Sequence, residues 1–165
     1  MSGLDSEMIE AAGGDKASEA SKARLRLWLR LLKASRHIEA ELREQLRVEF
    51  GSTLPRFDVM AALARFPDGM KMSALSSVLK VSNGNVTGII DRLAEDGLAE
   101  RAKVPGDKRA SLARLTKKGR EEFARQALAH EAWVDDLLKD VPKGRAERLS
   151  ALLADVVTSI EEKDV

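Results

Sequence analysis

Cysteine is absent from all 165 residues, which excludes disulfides, thiolate metal sites, cysteine nucleophiles and thiol redox sensing together. No run of about 18 apolar residues is present to span a bilayer. The opening MSGLDSEMIEAAGGDKASEAS lacks the basic start, apolar centre and cleavage site of a secretory signal, so a cytoplasmic address and no membrane partner are expected. Histidine is scarce: His37 and His130 stand far apart, with no metal-ligand spacing, phosphate loop or nucleophile elbow around them. Asp135-Asp136 falls on the polar face of a helical stretch, where a solvated pair is the ordinary reading. No catalytic residue, metal site or cofactor is therefore expected, and the chain is not read as an enzyme. Internal repeats and low-complexity segments are also missing.

What is present, 44% hydrophobic and 33% charged residues, suffices for one domain or for one compact module with long helical extensions. The net charge of +1 conceals an uneven distribution. Lys71 to Arg120 holds 11 Lys/Arg against 5 Asp/Glu, a local +6, which leaves −5 for the flanks. Within that basic centre Arg101, Lys103, Lys108, Arg109, Arg114, Lys117, Lys118 and Arg120 are opposed only by Glu100 and Asp107. Such a patch is either a solvated face or the footprint of nucleic acid.

The apolar spacing predicts helices for most of the chain, after a small, polar N-terminal arm broken by Gly13-Gly14. A long helix runs from Ala23 to Phe50 with Leu25, Trp28, Leu32, Ile38, Leu42 and Leu46 on one side, and Gly51 ends it. Thr53 and Pro55 open a second helix through Phe66, stopped by Pro67-Asp68-Gly69. Beyond the link Met70-Lys71-Met72, Ser73 is placed to cap a short helix and Ser82 to cap the next, with Gly97 as its C-terminal stop. Two short helices joined so tightly fit a helix-turn-helix. Leu98–Val104 and Ala110–Leu115 then read as two strands around the turn-rich tip Pro-Gly-Asp-Lys-Arg, a small wing. Thr116 caps a helix to about Lys139, and a last helix follows Val141-Pro142.

The stretch VSNGNVTGIIDRL, residues 81–93, is the sharpest local signal, because each interior glycine costs a helix about 1 kcal/mol relative to alanine. With Val86, Ile89, Ile90 and Leu93 toward a core, Gly84, Asn85, Thr87, Gly88 and Asp91 face the other way and Asn83 stands at the start. Short polar groups near a helix N-terminus suit base edges in a DNA major groove, and glycines let the backbone approach phosphates. The alternative is a plain turn at Ser82-Asn83-Gly84 with Gly88 as a helix-packing site.

The run MKMSALSSVLKVSNGNVTGIIDRLAEDGLAERAKVPGDKRASLARLTKKG resembles the winged-helix core of the MarR family of bacterial transcription regulators. V-x-x-I-I-D-R-L-x-x-x-G-L, then x-E-R, then D-K-R-A-x-L-x-x-L-T-x-x-G stand in order, and the likeness extends over roughly residues 22 to 162. It implies a mainly α fold with a small β wing: a dimerisation helix over 22–52, a winged helix-turn-helix over 53–118 and C-terminal dimerisation helices over 119–165, with the polar arm, 1–21, outside the likeness. It also implies a homodimer on double-stranded DNA, with Ser82, Asn83, Asn85 and Thr87 making groove and phosphate contacts. Arg109 would enter the minor groove with Asp107 orienting its guanidinium, and Lys103 and Lys108 would meet phosphates.

The family often holds a small effector in a crevice between the dimerisation helices and the DNA-binding domain. By position the candidates are Trp28, Leu32, Arg36, His37, Arg56, Phe57, Met60 and Trp133, a set that suits a planar aromatic anion. FGSTLPRFDVMAALARFPDGMKMSALSSVLKVSNGNVTG is similar to the branch controlling breakdown of aromatic acids, including hydroxycinnamates sensed as CoA thioesters. For an acyl-CoA, Arg36, His37 and Arg56 would be the phosphate partners. A sensor of a simple phenol or drug, and a winged-helix protein-interaction adaptor without specific DNA binding, stay open.

Overall fold

Ser18 starts the first helix, its hydroxyl oxygen accepting the Ser21 N–H at 3.2 Å, and in a computed structural model of the chain α1 then runs over Glu19–Phe50. The structure describes residues 18–104 and 107–162. The expected N-terminal arm lies outside them except for its last residues, Ser18 to Ser21, which the cap draws into the helix. Gly51, at φ 56°, turns back so that its N–H and that of Ser52 satisfy carbonyls of the last turn. In α1 only Leu42 and Leu46 are buried. The helix, about 48 Å long at 1.5 Å per residue, therefore packs on the rest of the chain near its C-terminal end. Further up, the predicted apolar side is half-buried at Leu25, Leu32 and Ile38 and exposed at Trp28, by 56%.

Thr53 caps α2 (Leu54–Ala64), which stops two residues short of the expected Phe66 and buries Phe57, Val59, Met60, Ala62 and Leu63. The link Met70-Lys71 is itself a strand: β1 (Met70–Lys71) pairs antiparallel with Ala113 and Leu112. That pairing corrects the expected cap. The chain passes from strand to helix α3 (Met72–Leu79) at Lys71, which makes no side-chain cap bond, and Ser73 already lies in the first turn. Ser82 does cap α4 (Asn83–Glu95), and Gly97, at φ 71°, lets the Leu98 N–H close on the Leu93 carbonyl.

β2 (Ala99–Val104) and β3 (Asp107–Leu115) form the wing, completing a sheet of order β1-β3-β2. Asp107, Lys108 and Arg109, expected in the turn, are strand residues: Val104 pairs with Asp107 across a register shift, leaving only 105 and 106 between the strands. Thr116 caps α5 (Lys117–Leu138), and α6 (Lys143–Glu161) follows Pro142. The core lies between α2, α3, α4 and the sheet, where Met60, Leu75, Val86, Ile90, Leu93 and Ala113 have no exposed surface. The architecture is a winged helix-turn-helix carried on helices α1, α5 and α6. Among the described residues no helix is long and apolar enough to cross a membrane, and no cluster of metal-ligating side chains occurs.

Candidate nucleic-acid interface

The inner face of α4 is anchored by Val86, Ile90 and Leu93, with Ile89 half-buried. That packing fixes the opposite face. Ser82, Gly84, Asn85, Gly88 and Asp91 are exposed and Thr87 is half-buried; the side chain of Asn83 is outside the described ones. Ser82 Oγ accepts the Asn85 N–H at 3.4 Å. At Gly84 and Gly88 an added Cβ would meet no atom within 4 Å beyond the helix's own backbone, among the described residues. Neither glycine is required by packing among the described residues.

The tight joint between α3 and α4 is held at Lys80, which has a left-handed φ of 52° and donates its N–H to the Ser77 carbonyl. Side chains of α4 and β2 then lock helix to wing. Arg101 Nη2 lies 2.6 Å from Asp91 Oδ1 and reaches the Thr87 carbonyl at 3.5 Å. Across the wing, Arg114 Nε donates to Glu100 Oε1 at 2.6 Å, a pair set directly opposite by the strand register.

The five cations of the basic cluster whose side chains are described all make contacts within the chain. Besides Arg101 and Arg114, Lys118 Nζ donates to the Asp96 carbonyl at 2.8 Å, Arg120 Nη1 to the Leu115 carbonyl at 2.9 Å, and Lys117 stands 4.0 Å from Glu121. Exposed pairs of this kind add little stability; their consequence here is orientation. Composition alone gave no sign of them, because partner choice depends on strand register and on helix packing. The side chains of Lys103, Asp107, Lys108 and Arg109 lie outside the described ones. Their backbone stands at the free end of the β2–β3 ladder.

The eight effector candidates are dispersed. Trp28, Arg36 and His37 are exposed and Leu32 half-buried along the N-terminal part of α1. Fourteen residues of helix put Arg36 about 20 Å from Phe50. Met60 is fully buried in the core, so it backs other residues and presents no surface of its own. Phe57 stacks on the His130 ring, with centroids 4.6 Å apart and planes at 14°, and meets Phe123 at 5.6 Å. Trp133 stands edge-on to Phe50 at 6.1 Å. Arg56 is turned to a different neighbour, its Nη2 bound to Asp96 Oδ2 at 2.5 Å.

Burial holds the His130 imidazole below its ordinary value, opposed by the Asp58 carboxylate. Burial raises the Asp58 carboxyl; His130 lowers it and Glu39 raises it. A lowered histidine contributes stability that is complete above its unfolded value of about 6.5 and is lost as pH falls through the folded one. Asp58, being raised, contributes in the opposite sense at lower pH. His130→Phe, which keeps the stack on Phe57, is therefore expected to lose less Tm than the wild type between pH 7 and 5 by circular dichroism. Parallel Tm profiles would remove His130 as the group responsible.

Residues 50–110 match the model of the MarR family. A crystal structure of a MarR family transcriptional regulator from Silicibacter pomeroyi is 36% identical, with a TM-score of 0.75 over 87% of this chain and 99% of that one. The chain belongs to the MarR family. Among curated relatives, the HTH-type transcriptional regulator BilQ of Clostridium symbiosum is 29% identical over 52% of this chain and 59% of its own. The transcriptional activatory protein BadR of Rhodopseudomonas palustris is 32% identical over 58% and 55%. The match thus spans a little over half the length of these two relatives. Two further structures share the fold: Sco3205 of Streptomyces coelicolor in complex with DNA, 22% identical with a TM-score of 0.75 over 88% and 92%, and CouR of Rhodococcus jostii RHA1 bound to p-coumaroyl-CoA, 16% identical with 0.69 over 79% and 90%.

Proposed function

We propose that this protein is a cytoplasmic, homodimeric, ligand-responsive repressor of genes for aromatic-compound breakdown, released from a near-palindromic operator by an aromatic acid or aromatic acyl-CoA. The observation that carries its DNA-binding half is the outward face of α4. Short polar side chains and two glycines with open space beside them form the start of a helix braced to a wing by Arg101. Ser82, Asn83, Asn85 and Thr87 serve the major groove and its phosphates, and Arg109, its guanidinium oriented by Asp107 two residues before it, serves the minor groove. Lys103 and Lys108 contact phosphates and fix register without reading sequence. The DNA-bound state of Sco3205, on the same fold, supports this reading.

Dimerisation is supported by α6, which buries none of its residues within the chain. Leu149, Leu152, Leu153, Val156 and Ile160 are 38 to 56% exposed along it, and a continuous apolar stripe of that length is a surface for another chain. The functional division is then 1–21 as an arm, 22–52 and 119–165 as dimerisation helices, and 53–118 as the DNA-binding domain. The effector class is supported by CouR, a neighbour in fold bound to p-coumaroyl-CoA; Trp28, Leu32, Arg36, His37, Arg56, Phe57 and Trp133 are the residues offered to it, and Met60, fully buried, can only back them. BadR carries an activator's name, so the sign of regulation is read by transcription from the operator-bearing promoter, which a repressor lowers.

Fluorescence anisotropy on the protein's own upstream duplex against a scrambled one is the test, run first across a salt series and then with aromatic acids and their CoA thioesters. Two chains per duplex, preference for the upstream sequence and a linear fall of log affinity with log salt are expected. Arg109→Ala is expected to lower affinity about tenfold while the dimer mass is unchanged; undiminished affinity would take the wing out of the mechanism. Equal binding to both duplexes with no salt dependence would instead favour the protein-interaction adaptor.

A further inference from the structure

The chain contains two asparagines, and both stand in the first turn of α4: Asn83, followed by Gly84, and Asn85, followed by Val86. An asparagine before glycine is open to attack on its side-chain amide by the next main-chain nitrogen, because glycine has no Cβ to obstruct the approach. Two Asp-Gly steps, Asp68-Gly69 and Asp96-Gly97, could close the same imide ring. The structure separates the three. Gly69 donates its N–H to the Phe66 carbonyl at 2.8 Å and Gly97 to the Ala94 carbonyl at 2.9 Å, so both nitrogens are occupied. The Gly84 N–H precedes the first repeat of helical bonding and donates to no oxygen among the described residues. Gly84 is exposed, and an added Cβ there would meet nothing within 4 Å, so water reaches this peptide from open space. The positive end of the α4 dipole also favours the anion that the Gly84 nitrogen becomes on losing its proton.

We infer that Asn83 is a site of spontaneous deamidation, and that its conversion lowers the protein's affinity for DNA. The Gly84 N–H gives its proton to hydroxide, the nitrogen bonds to Asn83 Cγ, and the Cγ–Nδ2 bond breaks. The departing nitrogen takes a proton from water and leaves as ammonia, restoring hydroxide. Water then opens the imide: cleavage at Cγ gives aspartate, and cleavage at the main-chain carbon gives isoaspartate, with the backbone routed through the side chain. Nothing is oxidised or reduced, and water is the only co-reactant. Ring closure needs the Asn83–Gly84 peptide to turn out of the helical conformation, so its rate follows fraying of the first turn. The Ser82 cap on the Asn85 N–H opposes that fraying. The consequence for DNA rests on the regulator proposed above: an amide that donates and accepts becomes an acceptor-only carboxylate, which phosphates repel. The aspartate product keeps its fold, because negative charge is favourable at the start of a helix.

Mass spectrometry of the full chain and its peptides during incubation at pH 7 and pH 9 tests the site. A gain of one dalton confined to Asn83 is expected, faster at pH 9, with Asn85 unchanged over the same period. Isomerisation at Asp68 or Asp96 adds no mass and does not enter this reading. Ser82→Ala is expected to speed the gain about fivefold through loss of the cap. Gly84→Ala is expected to slow it about tenfold, through the added Cβ and the higher helix propensity. No gain in mass, equal rates at Asn83 and Asn85, or a rate that ignores both substitutions overturns the site. Asn83→Asp, the sequence of the aspartate product, is expected to keep the wild-type Tm and to bind the upstream duplex about tenfold more weakly. Unchanged affinity, or affinity lost only together with Tm, overturns the consequence for DNA. A wild-type chain with no preference for its upstream duplex strikes the regulator proposal alone, since the mass gain is read without DNA.

Discussion

Gly119→Ala is expected to destabilise the fold by about 3 kcal/mol or more. Gly119 sits in the first turn of α5, buried against the chain that leaves α4, and a Cβ there would lie 1.8 Å from the Leu98 oxygen and 2.8 Å from its carbon. Those neighbours are backbone, so no rotamer relieves the overlap. The start of α5 must move away, and three bonds go with it: Thr116 N–H to the Leu98 carbonyl at 3.0 Å, Thr116 Oγ1 to the Gly97 carbonyl at 2.8 Å, and Lys118 to the Asp96 carbonyl. The same joint ties α5 to the end of α4. Urea unfolding followed by circular dichroism reads the loss. Gly144→Ala in α6, where an added Cβ meets nothing within 4 Å, is the control and should be neutral or slightly stabilising. A Gly119→Ala loss below about 1 kcal/mol would mean that the close approach is not maintained in solution.

The sequence motif L-T-x-x-G contained Gly119, yet nothing in its spacing said why. A close approach between residues 98 and 119 is a tertiary fact. Caps and helical period were legible because their causes are local: Ser82, Thr53, Thr116 and Gly51 act within one turn of where they stand. Two residues carry no period, so β1 was invisible; it exists through pairing with residues some forty positions later. Its formation moves the cap position from Ser73 to Lys71 and adds a third strand to the sheet. For the interface, the small polar face of α4 could be read from apolar spacing, since burial of Val86, Ile90 and Leu93 leaves only one side for Gly84, Asn85 and Gly88. The pairing of Arg101 with Asp91 could not, as it needs the wing folded against α4. The effector candidates follow from the family resemblance by position, and neither position nor periodicity says that Phe57 stacks on His130 or that Arg56 turns to Asp96.

The double substitution Gly84→Ala/Gly88→Ala is expected to move stability and DNA affinity in opposite directions. Replacing an exposed glycine inside a helix by alanine stabilises by about 1 kcal/mol, with less gain at Gly84, which stands in the first turn, than at Gly88. Nothing in the described chain opposes either methyl, and neither residue has the left-handed backbone that would make alanine strained. The described residues therefore give no reason to keep glycine at these positions. On the proposed function the reason is the DNA: a bare backbone at the start of α4 comes closer to the groove wall than one carrying methyl groups, and phosphate contacts weaken steeply once that approach is lost. Affinity for the upstream duplex is accordingly expected to fall about thirtyfold, near 2 kcal/mol, while the urea midpoint rises. Gly144→Ala again serves as the control, with DNA affinity unchanged. A variant that gains stability and keeps its affinity would show that the backbone of α4 does not approach DNA at these glycines, leaving its side chains and the wing to carry the contact. A variant that loses both would mean that α4 packs differently from the structure.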